Sequence, residues 1–518
     1  MAQAVFHARW WLPSLAEVVF VSVLGWVLLG GQARALLADG DTGWHIRTGD
    51  SILAERRFPA ADRFSFSRAG EAWFAWEWGS DVVFSLAHWA AGLKGVVLLG
   101  GVVIAATSAA LFQYLLWQGA NVVVAALAML AAGVASAVHW VARPHLFTYL
   151  LFLIAIWLLE ADRRRPTRWV WALAPLGVLW ANLHGGFVAL LGAIALYTCG
   201  AALESATSQP GDWRAPRRSL ALGTATALAT LLNPYTYRLH GHIWQYLRSD
   251  FIRDRVEEFQ SPRFRGESML SFEILLFAGL LLVPRLWRCR EYAAALLVVA
   301  LAHAALGSVR HVLLYVLAAV PVVARESSRL LEAGTGPSAA AWRALAADYA
   351  PHGQDRGPRW RLPLWGLSAV VVAAFLLDSG PVAWRVEFPR ERFPQAALEQ
   401  AEEFLVGKHV FTSDQWGDYL IYRYSPRLQV YIDGRSDFYG PEIGQQYLEA
   451  QQAQHRWEEI FRQYGFETAL LPAEWPLATV LKAHPGWELR YDDGRALLFT
   501  KKAHHERPPA GPPQSGRR

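Results

Sequence analysis

The sequence predicts an α-helical polytopic membrane protein, with about eleven transmembrane helices, that ends in a small soluble α/β domain. Three observations carry this prediction. Of 518 residues, 53% are hydrophobic and 18% charged, and the mean hydropathy is positive; this composition excludes an ordinary soluble enzyme. Apolar runs able to cross a hydrocarbon core, which takes ~20 residues, recur from near the N-terminus to residue 377 and then cease. Beyond them, short strand-like runs alternate with amphipathic helical ones.

The membrane part is read as residues 1–377, with spans at 15–37, 94–117, 121–141, 145–160, 169–183, 186–203, 219–233, 269–286, 291–306, 309–324 and 363–377. "ARA" at 33–35 mimics a signal-peptide cleavage site, but the preceding charged region is weak and the apolar stretch long, so the first span is read as an uncleaved anchor. Arginine sorts the loops: "DRRRPTR" at 162–168, "WRAPRR" at 213–218, "RLWRCR" at 285–290 and the 325–361 linker with six arginines are expected in the cytoplasm. The N-terminus is then inside. The loop after span one, the 234–268 loop and everything after 377 face outward. The net charge of +5 resides mostly in those arginines, so it is a topology signal rather than a nucleic-acid footprint. Cys199 and Cys289 both fall near cytoplasmic helix ends and make no disulfide framework.

The first outer loop, 38–93, is too patterned to be a plain connector. It opens with "DGDTGWHIRTG" at 39–49, predicts a short helix over 47–57, and reads as extended at 58–67, where Pro59 disfavours helix. A second helix is predicted at 77–93. Its apolar stripe of Trp78, Val82, Leu86, Trp89 and Leu93 lies beside Asp81, Ser85 and His88, a pattern suited to the membrane surface or to packing on neighbouring spans.

Unusual polar groups collect at the outer ends of the spans: Asp39, Asp41, His45 and Arg47; His139, Arg143 and His145; Asn182 and His184; Asn233 and His240; Arg310 and His311. Each alone is compatible with interfacial anchoring. Together they point to one outward-facing cavity, because ionisable groups at membrane depth cost roughly 2.5–3.5 kcal/mol each and gather where they are used.

The soluble domain is read as residues 378–502. Strands are predicted at 408–413, 428–433 and 467–472, a hairpin follows near the C-terminus ("WELRYDD", "RALLFTKK"), and helices fall at 394–406 and 441–464. Ser413 or Asp414 is expected to cap a helix opening at "SDQWGDYLIY". Asp433, Arg435 and Asp437 form either a ligand-binding strand end or a turn held by Asp and Gly chemistry. Residues 503–518 are predicted to be disordered.

"DGDTGWHIRTG" directly after span one, with "WANLHGGF" at 180–187, "NPY" at 233–235 and "SVRH" at 308–311, resembles the GT-C superfamily of polytopic glycosyltransferases, in particular the bacterial Rgt-like group related to protein mannosyltransferases and aminoarabinose transferases. The likeness covers roughly residues 15–325. It implies transfer of a sugar from a polyprenyl-phosphate carrier to an acceptor on the outer face of a bacterial inner membrane. Many members carry adjacent Asp-Glu where this chain has Asp39-Gly-Asp41, and Asp41, with His45 four residues on, best matches the pattern.

The chemistry needs such residues whatever the name. A carboxylate, Asp41 or Asp39, takes the proton of a hydroxyl acceptor. Arg143 or Arg310 meets the growing charge of the lipid phosphate, and Trp44 offers a stacking face. His45, Arg47, His184 and His311 are expected to line the substrate. A divalent cation between Asp39, Asp41 and His45 is the alternative to metal-free catalysis, and these residues leave both open. A non-catalytic carrier or binding protein for lipid-linked saccharides is the competing function; the absence of an evident internal repeat and the terminal rather than mid-span position of the acids count against it.

Overall fold

The computed structural model describes residues 14–353, 362–377 and 386–502; the expected disordered tail lies outside the described residues. The chain divides into two compact units. One takes residues up to Ala60 together with Trp73–Pro389, the other Ala61–Ala72 together with residues from Arg390 onward.

The first unit is helical. In chain order it contains α1 (Leu15–Leu29), α2 (Asp41–Glu55), α3 (Trp78–Gln118), α4 (Val122–Ser136), α5 (His145–Arg164), α6 (Leu173–Leu183), α7 (Phe187–Thr207), α8 (Arg214–Ala229), α9 (Tyr237–Arg248), α10 (Asp250–Arg255), α11 (Glu267–Arg288), α12 (Tyr292–Gly307), α13 (Val312–Ala333), α14 (Pro337–Gly353) and α15 (Leu362–Leu376). Every apolar run read as a span is thus mainly helix. Among the described residues, five helices are long and apolar enough to cross a membrane, and Leu15–Leu29, Tyr292–Gly307 and Trp365–Leu376 are shorter apolar helices. This is a multi-pass membrane protein. On α11, Leu270, Ile274, Phe277 and Leu281 are exposed while Met269, Phe272, Leu275 and Leu276 are buried. Spacings of four, three and four make one apolar stripe, the pattern of a helix face turned toward lipid.

The two helices expected at 77–93 and 94–117 are both present within α3, separated by a break at Ala91 and Gly92. Gly92 has φ 59 and ψ −148, backbone that a side chain would strain. Before the break the amphipathicity is inverted. Ser80, Asp81, Phe84 and Ser85 are buried, whereas Leu86 and Trp89 are exposed, Trp89 by 85%. An outward apolar face over a buried polar one fits a helix lying in the membrane interface.

The arginine-rich loops meet one another at one end of the bundle. Arg218 pairs with Asp162 at 3.1 Å, Arg285 with Glu326 at 2.6 Å, Arg325 with Glu291 at 2.6 Å, and Arg290 donates to Ser208 at 3.3 Å.

The second unit is a four-stranded sheet of order β1-β2-β4-β3. Strands β1 (Val410–Phe411) and β2 (Thr468–Pro472) are parallel; β3 (Trp487–Asp492) and β4 (Ala496–Lys501) form the expected hairpin, and β4 pairs antiparallel with β2. Helices α16 (Gln395–Ala401), α17 (Asp414–Tyr424), α18 (Ser436–Gln451), α19 (Trp457–Gln463) and α20 (Pro476–Ala483) complete it. Ser413 caps α17, accepting from Trp416 N at 3.1 Å. The strand expected at 428–433 is reduced to single bridges of Val430, to Val410 on one side and to Ser65 on the other, and the 408–413 run to a two-residue strand. The run shortens because its next residues turn into a buried ionic clasp. Arg435 meets Asp433 through Nε at 2.8 Å and Nη2 at 2.6 Å, and Asp62 at 2.8 Å, while Tyr439 OH donates to Asp433 at 2.7 Å. Asp433 and Arg435 therefore hold a piece of the first loop inside this unit and are not open to a ligand. Phe66 stacks on His409 at 4.1 Å in the same assembly.

Candidate functional site

The site is assembled in the first unit from four inter-helix turns, each pinned by backbone hydrogen bonds. The six-residue 3₁₀ helix Gln32–Leu37 follows α1, and Leu36 O accepts from Ala142 N at 2.7 Å, while Thr42 Oγ1 donates to Ala142 O at 2.8 Å. These two bonds clamp the turn before α5 against the start of α2. Arg143 is carried there, with Nη1 2.9 Å from Asp39 Oδ2 and Nη2 2.7 Å from Asp41 Oδ2. A second clamp joins the turns at 258–260 and 308–310: Ser308 Oγ donates to Glu258 O at 2.8 Å and Val309 N to Gln260 O at 2.9 Å. It brings Glu258 onto Arg143 and places Arg310 Nε 3.4 Å from the same carboxylate. Arg310 also donates to Tyr246 OH at 3.1 Å and lies 4.7 Å from the Phe259 ring centre.

Three carboxylates and two guanidiniums therefore share one partly buried cluster. Burial alone would lower the Arg143 pKa, but Asp39, Asp41 and Glu258 hold it well above its usual value. Burial alone would raise Glu258; Arg143 and Arg310 instead hold it well below the carboxylate range. Both groups are firmly charged. Asp39 rather than Asp41 serves the helix start, its Oδ1 accepting from Asp41 N at 3.0 Å. That bond begins α2 at Asp41, earlier than the helix expected over 47–57, and frees the Asp41 side chain from capping.

A second layer lies behind the acids. His45, one turn along α2 from Asp41, sets Nδ1 2.6 Å from Asp81 Oδ1. Gly49 permits this approach: a Cβ there would stand 2.1 Å from Asp81 O. Glu77 lies between two histidines, 3.8 Å from His45 Nε2 and 3.4 Å from His184 Nε2. His184 Nδ1 accepts from Gly186 N at 3.0 Å, so its proton sits on Nε2, facing Glu77. Burial first, and then the nearby charge of Arg143 for His45 and of Arg310 for His184, holds both imidazoles well below their usual range. They are neutral at pH 7.

Of the residues singled out in the sequence, Asp39, Asp41, Arg143 and Arg310 come together in the first layer, and His45 and His184 in the second. Trp44 is buried and stacks on His45 with ring centres 3.7 Å apart, so its face is taken and offers no shelf. Arg47 pairs with Asp50 at 3.0 Å, away from the cluster. His311 is half-buried in the turn beside Arg310, and the carboxylates of the cluster go to Arg143 and Arg310 instead. The cation donor set Asp39, Asp41 and His45 is not gathered, since the two acids engage Arg143 and His45 engages Asp81. Among the described residues, no group of three or more His, Cys, Asp or Glu is placed to hold a metal ion. Glu258, Glu77 and Tyr246 were missed. The Glu257-Glu258 pair in a loop expected to face outward was the one available signal.

The fold is shared with a solved membrane-embedded oligosaccharyltransferase, in keeping with the resemblance carried by the first-loop motif. Among solved structures, the chain is similar to the archaeal oligosaccharyltransferase AglB from Archaeoglobus fulgidus, in complex with an inhibitory peptide and a dolichol-phosphate, with a TM-score of 0.55 and 11% identity over 94% of this chain and 74% of that one. ArnT from Cupriavidus metallidurans bound to undecaprenyl phosphate gives 0.49 and 15% identity over 94% and 98% of the two chains, and its apo state 0.41 and 17% over 93% and 97%. No protein-family model matches the sequence, and no curated protein matches it.

Proposed function

We propose that this protein is a glycosyltransferase that moves a sugar from a polyprenyl-phosphate-linked donor to an acceptor hydroxyl at the outer face of a bacterial inner membrane. The observation that carries the reading is the convergence of the first-loop acids Asp39 and Asp41 with Arg143, Glu258 and Arg310 in a chain of this fold. Asp41 accepts the acceptor's proton as the new bond forms at the anomeric carbon. The bond from that carbon to the phosphate oxygen breaks, and the polyprenyl phosphate leaves with its extra negative charge. The two arginines divide the work. Arg143 is held tightly by three carboxylates, whereas Arg310 has one carboxylate at 3.4 Å and one phenol. A phosphate therefore recruits Arg310 more easily. Arg143 remains with Asp39 and Glu258 when Asp41 takes up a proton, so no buried charge is left alone.

The two ends of α5 support this sidedness. His145 opens it beside the acidic cluster, and Arg163 and Arg164 close it near the arginine network, ~30 Å away for a 20-residue helix. Arginine-rich loops favour the cytoplasm, which supports an outer-face position for Asp41. A reporter fused after residue 165 should read as cytoplasmic.

The deciding experiment is mass analysis of the purified protein incubated with polyprenyl-phosphate sugars. Sugar release or transfer that Asp41→Asn abolishes supports the enzyme. Donor binding without release, unchanged in Asp41→Asn, would instead favour a carrier or binding protein.

A further inference from the structure

We propose that a run of aromatic rings leading away from Arg310 binds an extended saccharide, so that the acceptor of the proposed reaction is an oligosaccharide. This inference rests on the reading of the Asp41 cluster as the transfer site. From Arg310 the contacts pass through Phe259 (4.7 Å), Tyr246 (5.3 Å), Trp76 (6.2 Å), His242 (5.6 Å), Phe74 (5.1 Å) and Tyr235 (4.5 Å), each distance measured from the preceding group. The rings come from three separate stretches of chain, the end of the first loop, the segment through α9, and the turn that carries Glu258. All but the buried Phe259 are partly exposed.

The outer end of this unit carries two distinct sets of aromatic residues. Trp89, Tyr237 and Trp244 are exposed by 85%, 71% and 62%, the behaviour of side chains that anchor in a membrane interface. The six rings of the run instead contact one another and end on the charged cluster. Helix α9 separates the two sets: Tyr237 and Trp244 point out, while His242 and Tyr246 join the run. Lipid anchoring accounts for the first set and not for the second.

A saccharide fits that second set. The C–H faces of a pyranose are weakly positive and pack on the negative face of an aromatic ring, and its hydroxyls need hydrogen-bonding groups between the rings. Tyr246, whose OH accepts from Arg310 at 3.1 Å, places such a group among the rings. A single donor sugar is served next to the phosphate at Arg310; successive rings beyond it suit a ligand of several units.

The test uses full-length protein in nanodiscs without any lipid-linked donor. Ligand-observed NMR would follow methyl pyranosides, maltohexaose, cellohexaose and chitohexaose, because stacking on a ring face tolerates differences in sugar identity. Binding should strengthen from the monosaccharides to the hexasaccharides. Phe74→Leu, which keeps apolar volume and removes the ring, and Trp76→Ala should each weaken it roughly 3- to 10-fold, while Trp244→Ala should leave it unchanged. Absence of binding by all four probes, or equal binding by Phe74→Leu and wild type, overturns the inference. Its failure is separable from that of the transfer reading: sugar release from donor without saccharide binding leaves the enzyme standing with another acceptor. Saccharide binding without release removes the enzyme and keeps the aromatic site.

Discussion

Replacement of Asp41 by Asn separates catalysis from architecture at one atom. Asn keeps the shape and an acceptor for Arg143 Nη2, which stands 2.7 Å from the carboxylate, but it carries no charge and takes up no proton. The structural loss is small. A hydrogen bond to a charged group is worth ~1.5–3 kcal/mol and a neutral one ~0.5–1.5, so the exchange costs about 1 kcal/mol. Arg143 still has Asp39 and Glu258. The helix start is untouched because the bond there runs from the Asp41 backbone N to Asp39 Oδ1 and does not involve the Asp41 side chain. The expected shift in melting temperature is no more than a few degrees. The kinetic loss is large: removing a general base costs 10²–10⁴-fold, or ~3–5 kcal/mol of barrier at 1.36 per tenfold. The assay pairs transfer from a polyprenyl-phosphate sugar with thermal unfolding in the same detergent. An Asp41→Asn protein with near-normal unfolding and full transfer would refute the assignment. A collapse in stability would show that Asp41 holds Arg143 rather than the acceptor's proton.

Other expected outcomes follow from the same contacts. Arg143→Gln leaves Asp39, Asp41 and Glu258 with Arg310 as the remaining guanidinium of the cluster, and removing one partner of a buried ion pair costs ~3–5 kcal/mol; the melting temperature should fall well below that of Arg310→Gln. Arg310→Gln should raise the KM for donor with little change in unfolding, and unchanged donor affinity would place the phosphate elsewhere. His45 and His184 are held neutral in the fold, while an unfolded histidine titrates near 6.5. Below that pH the unfolded chain binds more protons, so stability should be fully present above 6.5 and fall as the solution is acidified; His45→Gln should flatten the fall, as read by unfolding at pH 7.5 and 5.5. Gly49→Ala puts a methyl 2.1 Å from Asp81 O and should cost ~1–3 kcal/mol through overpacking, with a measurable drop in melting temperature.

Much of this protein is fixed by local pattern. Composition and recurring apolar runs define a polytopic helical protein because a bilayer accepts few other ways of satisfying a buried backbone. The helix over 77–93 and the hairpin at the end of the second unit rest on local periodicities, and both elements appear where predicted. The position of Asp39 and Asp41 directly after the first span marked the site, since charge at a membrane boundary is conspicuous against an apolar background. Partner choice was decided only by tertiary structure. Trp44 looked like a stacking shelf and is covered by His45; Arg47 was expected to line the substrate and turns to Asp50. Glu258 carries only the faint mark of the Glu257-Glu258 pair, and Tyr246 carries none. They enter the site because two clamps of backbone and hydroxyl hydrogen bonds close turns that are about 100 and 50 residues apart in sequence, and no window of sequence contains both sides of such a bond. The same holds for Asp62, which the second unit encloses through Arg435. Pattern sets which residues leave water for lipid, whereas long-range closure of turns sets which charges meet.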